Sequence, residues 1–154
     1  MKKRFFGMIL TLCMFLALGL TLNLRSASAI DGSPEVQWGI ASASGGEPTV
    51  WEGNGSMAEA VAYANGLSGE RAYIQLLSDV ETDTITFTQG TTTLDLNGNT
   101  LISRNFNRVI TLNDGILTIA DSSKDKNGTI SSDSDKSTRT EGIICVSGGS
   151  LVVE

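Results

Sequence analysis

The chain has 154 residues, with 17 acidic side chains against 11 basic ones and no histidine. The lack of histidine excludes Ser-His-Asp triads, histidine general bases and histidine-bearing zinc sites. The acidic balance argues against nucleic acid or an anionic membrane as a partner.

At the start, Met1-Lys2-Lys3-Arg4 is basic, Phe5 to Leu24 is almost wholly apolar, and Ser26-Ala27-Ser28-Ala29 is small. That succession has the form of a secretory signal peptide, and Ala27 and Ala29 fit the small pockets of a signal peptidase. We expect residues 1–29 to be removed by cleavage after Ala29, leaving a secreted or cell-surface chain from residue 30. The apolar run is also long enough to cross a bilayer as a retained anchor, and either way the remainder lies outside the cytoplasm. No membrane contact is expected beyond this segment. Leu12 stands before Cys13 where lipid attachment needs a small residue, which rejects a lipoprotein. Without Lys2, Lys3, Arg4 and Arg25, seven basic residues face 17 acidic ones, a net charge of −10. Cys145 is then the sole cysteine, so no internal disulfide forms and stability rests on packing and backbone hydrogen bonds.

Residues 30–72 make an N-terminal section. Val36 to Ile40 and Thr49-Val50-Trp51 are short alternating stretches, expected to form a hairpin through the turn Gly45-Gly46-Glu47-Pro48. Ser56 followed by Glu59 is a capping box, and Met57, Ala60, Val61 and Ala64 fall on one helical stripe. A helix over 57–65 is predicted, ended by Asn65-Gly66 with Gly66 left-handed and Leu67 folding back.

Residues 73–154 change character to short β-rich segments between polar turns. Thr93-Leu94-Asp95-Leu96, Ile116-Leu117-Thr118-Ile119 and Ser150-Leu151-Val152-Val153 share one pattern. Val109-Ile110-Thr111-Leu112 answers Ile143-Ile144-Cys145-Val146, and Asn99-Thr100-Leu101 answers Gly128-Thr129-Ile130. Three classes recurring in one cyclic order are the signature of a solenoid with three faces. The expected fold is all-β: a right-handed parallel β-helix with a short N-terminal capping helix over its open end. Equivalents are spaced 23 residues from Leu94 to Leu117 and 34 from Leu117 to Leu151, with the excess placed in loops. Ile74 and Leu76 are expected to stack under Leu94 and Leu96. Leu94, Leu96, Ile110, Leu112, Leu117, Ile119, Ile130, Ile144, Val146, Leu151 and Val153 are expected to point inward, and Cys145 outward beside Thr111.

The helix at Ser56–Val61, then Ile74-Gln75-Leu76-Leu77-Ser78-Asp79-Val80, then Leu94-Asp95-Leu96-Asn97-Gly98-Asn99-Thr100-Leu101 resembles the cap and first coils of bacterial surface proteins with a pectin-lyase-like fold. Leu117 to Ser122, Asn127 to Ile130 and Ile144 to Gly149 look like later phrases of it. The resemblance implies a fold, over roughly residues 50–154. It does not choose between polysaccharide lyases or hydrolases and adhesin-like proteins without a reaction. The sequence stops inside a repeat at Val153-Glu154, from which we expect further coils downstream.

No catalytic residue, cofactor site or metal site is assigned. Asp95 is placed in line with Thr118 and Val152, so no second carboxylate stacks on it. Asp121 to Gly128 alternates oxygen ligands as a calcium loop would, but Lys126 and Ser132 stand where such a loop needs glycine and glutamate, Lys124 adds opposing charge, and a plain turn is preferred. The insertion Ser131 to Glu141, with Asp133, Asp135 and Glu141, reads as a solvated loop. Arg104, Phe106 and Arg108 form the candidate glycan-binding patch, since arginines beside an aromatic ring suit an acidic sugar. The same residues also fit a ring folded over the coil edge with its arginines balancing nearby acids. Trp38 and Trp51 could stack on sugars or cover a core end. The expected function is a non-enzymatic, adhesin-like scaffold whose partner is a polysaccharide or a host or cell-surface protein. The alternative is the first section of a polysaccharide-degrading enzyme with its active coils downstream.

Overall fold

The computed structural model describes residues 33–104, 108–132 and 142–154. The expected signal peptide, Phe106, and the loop acids Asp133, Asp135 and Glu141 lie outside them. The elements begin with β1 (Val36–Ile40), β2 (Gly53–Gly55) and α1 (Met57–Gly66). The first coil follows as β3 (Arg71–Leu76), β4 (Val80–Thr82) and β5 (Ile85–Phe87). The second is β6 (Thr91–Asp95), β7 (Thr100–Ser103) and β8 (Ile110–Leu112). The third is β9 (Ile116–Ala120), β10 (Thr129–Ser132) and β11 (Ile144–Val146), and β12 (Ser150–Val153) opens a fourth.

Leucine and β-branched residues at alternate positions favour extended backbone and put every second side chain on one face. No coil can bury that face alone, so like strands of successive coils stack in parallel. One sheet runs β12-β9-β6-β3, continuing to β1 and β2; a second runs β10-β7-β4; a third runs β11-β8-β5. The result is a right-handed parallel β-helix. Its column is filled by Ile74, Leu76, Val80, Phe87, Leu94, Leu101, Ile110, Leu112 and Leu117, each at most 1% exposed. Each such side chain contributes roughly 1.5–3 kcal/mol on burial.

Ile74 stacks on Leu94, Leu101 on Ile130, Ile110 on Ile144, Leu112 on Val146, and Leu117 on Leu151. One register differs from expectation. Leu94 lies beside Ile119, and Leu117 beside Thr92, an offset of 25 residues rather than 23. A slip of two leaves every side chain on its own face, so the apolar pattern alone does not detect it. Backbone contacts at the corner before this sheet set the offset: Ile116 N–H donates to the Gly90 carbonyl and Ser150 N–H to that of Gly115, both at 2.8 Å. Ile130, Ile144 and Leu151 pack against the core only partly buried. Val146 and Val153 are 45% and 70% exposed, because among the described residues no further coil stacks on β11 and β12.

The N-terminal end is closed by three devices. Strand β1 lies antiparallel along β3, pairing Trp38 with Ile74, and so covers the edge that the first coil would otherwise leave open. Its hairpin partner is β2 rather than Thr49–Trp51, with Trp38 opposite Gly53. A β-carbon on Gly53 would meet the Trp38 ring at 2.6 Å, so the glycine lets the indole lie against the backbone. Helix α1 buries Met57, Ala60, Val61 and Ala64 on the end of the column, with the expected capping box formed by Ser56 and Glu59. It ends differently from expectation: Gly66 is its last residue and Leu67 is an extended cap whose N–H reaches the Ala64 carbonyl at 3.3 Å. Leu67 still packs on the core. The third device is Asn65, whose Nδ2 donates to the Thr86 carbonyl and whose Oδ1 accepts the Thr88 N–H, both at 2.9 Å. One side-chain amide thus occupies the edge of β5 as a further strand would.

Candidate functional site

Alternation turns Tyr73, Thr93, Thr118 and Val152 outward on the first sheet, where the register aligns them in one row across four coils. The adjacent row is Gln37, Gln75, Asp95 and Ala120. Asp95 therefore aligns with Ala120, while Thr93 is the residue in line with Thr118 and Val152.

The second row is a ladder of hydrogen bonds. Gln37 Nε2 donates to Gln75 Oε1 at 2.7 Å, and Gln75 Nε2 donates to Asp95 Oδ2 at 2.8 Å. Tyr73 Oη donates to the same oxygen at 2.9 Å. Asp95 Oδ1 accepts the backbone N–H groups of Asn97 at 3.0 Å and Ser122 at 2.8 Å. Two donors on each oxygen use the acceptor capacity of an ionised carboxylate. Burial on its own would raise the Asp95 carboxyl, but the bonds from Ser122, Gln75 and Tyr73 outweigh it and hold the group below the ordinary aspartate range. Tyr73 moves the opposite way: burial first, then the Asp95 charge, pushes its hydroxyl above the usual range, so it stays a donor.

Trp51 stands at the end of the first row, with its ring 6.0 Å from Tyr73 and 66° from coplanar. Tyr73 itself is buried, and beyond it along the row stand the half-buried Thr93 and then Thr118. Trp38 serves the end cap instead, 6.3 Å from Tyr63. Trp51 is visible in the sequence as an aromatic, but its setting is not. That setting follows only from Tyr73-x-Gln75 facing outward under Thr93-x-Asp95.

A groove of about 550 Å³ runs between α1 and the β4–β5 turn, lined among others by Met57, Val61, Glu35, Glu81, Asp83 and Arg104. Arg104 Nε lies 3.6 Å from Glu81 Oε2 in an exposed ion pair. Three carboxylates against one guanidinium oppose an acidic sugar here. The backbone carbonyl of Arg108 accepts the hydroxyl of Thr84, a residue of the groove lining, at 2.8 Å. Phe106, the ring of the expected patch, lies outside the described residues.

In the loop from Asp121 to Gly128 the carboxylate faces backbone N–H groups rather than an open centre, and Lys126 Nζ donates to the Asp121 carbonyl. No group of three or more Cys, Asp or Glu among the described residues is placed to hold a metal ion. Cys145 pairs with Thr111 as expected, with its sulfur 3.8 Å from the Ser147 hydroxyl. No helix among the described residues is long and apolar enough to cross a membrane. No protein-family model, curated protein or solved structure matches the chain.

Proposed function

We propose that this chain is a non-enzymatic extracellular scaffold, adhesin-like, whose pectin-lyase-like β-helix presents the outer face of its first sheet to an uncharged glycan. The observation that carries the reading is the row Tyr73, Thr93, Thr118, Val152 with Trp51 at its end. The Thr93 and Thr118 hydroxyls, one strand separation or about 4.8 Å apart, approximate the repeat of an extended polysaccharide lying along the coil axis. An indole at the end offers a face for a pyranose ring. The neighbouring carboxylate supports binding over turnover, because Asp95 is engaged by four donors and has no acceptor position left for a substrate proton. The basic, apolar and small-residue order of residues 1–29 supports delivery outside the cytoplasm.

A glycan array with the full chain tests this, followed by titration calorimetry on any neutral oligosaccharide retained. Trp51→Ala with Thr118→Lys should abolish the signal while leaving the circular dichroism spectrum intact, and Arg104→Ala should leave binding unchanged. An array blank for the unaltered protein, or shortening of the bound oligosaccharide over time, overturns the reading.

A further inference from the structure

Asp121 sits where two turns of successive coils converge. Its Oδ1 accepts the Gly98 N–H at 2.9 Å and the Ser123 N–H at 3.0 Å, and its Oδ2 accepts the Gly128 N–H at 2.6 Å. Each of the two glycines follows an asparagine, in Asn97-Gly98 and Asn127-Gly128. The turns touch, since Asn127 Oδ1 lies 3.1 Å from the point a β-carbon on Gly98 would occupy.

An Asn-Gly pair can modify itself without an enzyme. The glycine nitrogen attacks the asparagine Cγ; the new N–Cγ bond closes a succinimide; the Cγ–Nδ2 bond breaks, and ammonia leaves with the glycine N–H proton. Water then opens the ring to aspartate or isoaspartate, the latter with one extra methylene in the backbone. A carboxylate bound to that N–H opposes the first step twice. It keeps the proton directed away from the side chain, and its negative charge disfavours the deprotonated nitrogen that attacks.

We propose that Asn97 and Asn127 are sites of succinimide formation held closed by one shared guard, the Asp121 carboxylate. The rest of the corner agrees. Asn97 Nδ2 donates to the Leu76 carbonyl at 3.0 Å, which keeps its side-chain amide on the preceding coil. The guard stays ionised far below neutrality: burial raises the Asp121 carboxyl, but the bonds from Ser123, Gly128 and Gly98 outweigh it and bring it to about 2. Isoaspartate at either position would lengthen the backbone where the second and third coils are tied together. Asn54-Gly55 and Asn65-Gly66 do not touch Asp121 and serve as internal references.

The experiment is peptide mapping with isoaspartate quantitation after prolonged incubation in warm, mildly alkaline buffer. The full chain, its Asp121→Ala variant and the unaltered chain in urea are compared. Asn97 and Asn127 should convert at least about tenfold more slowly in the folded chain than in urea. Asp121→Ala should bring both close to the urea rate while Asn54 is unchanged. Equal rates with and without urea, or a folded variant matching the unaltered protein, overturns the proposal. If the variant unfolds, all four pairs rise together, and hydrogen exchange on the unaltered protein decides. Slow exchange at the Gly98 and Gly128 amides upholds the guard, and exchange at the free-peptide rate overturns it.

Discussion

Gly115 lies over Gly90 so closely that a β-carbon on it would stand 2.1 Å from the Gly90 carbonyl oxygen. Gly149 repeats the relationship on Gly115, again at 2.1 Å. All three have positive φ, 81°, 89° and 78° in chain order, so the corner entering the first sheet is a column of left-handed glycines. Gly115→Ala meets two penalties: about 1–2 kcal/mol for the left-handed conformation and about 1–3 kcal/mol for overpacking. A loss of roughly 2–5 kcal/mol is expected, seen as a lower urea midpoint with an unchanged slope. Gly66→Ala, at a helical position with nothing within 4 Å, should be neutral or slightly stabilising. Equal midpoints for the two variants would remove the glycine column as the device that sets the register.

That column also shows how legibility was divided. The helix is readable because a capping box and a stripe at Met57, Ala60, Val61 and Ala64 are local signals. The three faces are readable because Leu94, Ile110 and Leu101 have recognisable equivalents in the next coil. The offset of 25 is not readable from apolar residues, since Leu-x-Leu matches itself after a slip of two. Gly90, Gly115 and Gly149 carry the information, but glycine is ordinarily taken as loop punctuation. Strand β2 is hidden for a related reason: Gly53-Asn54-Gly55 looks like a turn, and its first glycine is required by the Trp38 ring. At the candidate site, Arg104 is visible while Glu81, its partner 23 positions earlier, is brought near only by the pairing of β4 with β7.

Asp121 and Asp95 make the fold sensitive to acid. Both carboxyls lie below their ordinary range in the folded chain, Asp121 at about 2. An unfolded aspartate titrates near about 3.9. A group with a depressed folded value contributes its full stability above the unfolded value and loses it as pH falls towards the folded one. Stability to urea should therefore be level near about pH 5 and fall between about pH 4 and about pH 2. Asp121→Asn keeps one acceptor oxygen and sets an NH2 donor against the other glycine N–H, since Gly98 and Gly128 bind different oxygens. It should cost about 1–3 kcal/mol near neutrality and flatten the acid slope. An unchanged slope in the variant would move the acid sensitivity to other carboxylates.

Ser56→Ala removes the hydroxyl that receives the Glu59 N–H, leaving one N–H at the start of α1 without its cap. A loss of about 1 kcal/mol is expected. Because α1 closes the end of the core, the first amides to exchange faster should be those of its opening turn, Met57 to Ala60. Uniformly faster exchange through all coils would instead show that the cap and the coils open as one unit.

Asn65 tests whether the end cap protects against association as well as unfolding. Its amide satisfies the Thr86 carbonyl and the Thr88 N–H, and its own carbonyl accepts Gln89 Nε2 at 2.8 Å. Asn65→Ala frees the first two on the outer edge of β5, with a loss of about 1–3 kcal/mol if they stay buried. If they open to water the loss is smaller, but the edge becomes a template for another strand. Asn65→Asp separates the two functions, since it keeps the acceptor for Thr88 and sets a carboxylate oxygen against the Thr86 carbonyl. It should be the less stable of the pair to urea, while its charge keeps it the less prone to associate. Sedimentation velocity across a concentration series should show Asn65→Ala forming larger species and the unaltered protein not. Identical sedimentation for both would assign Asn65 a purely local role at the end of the helix.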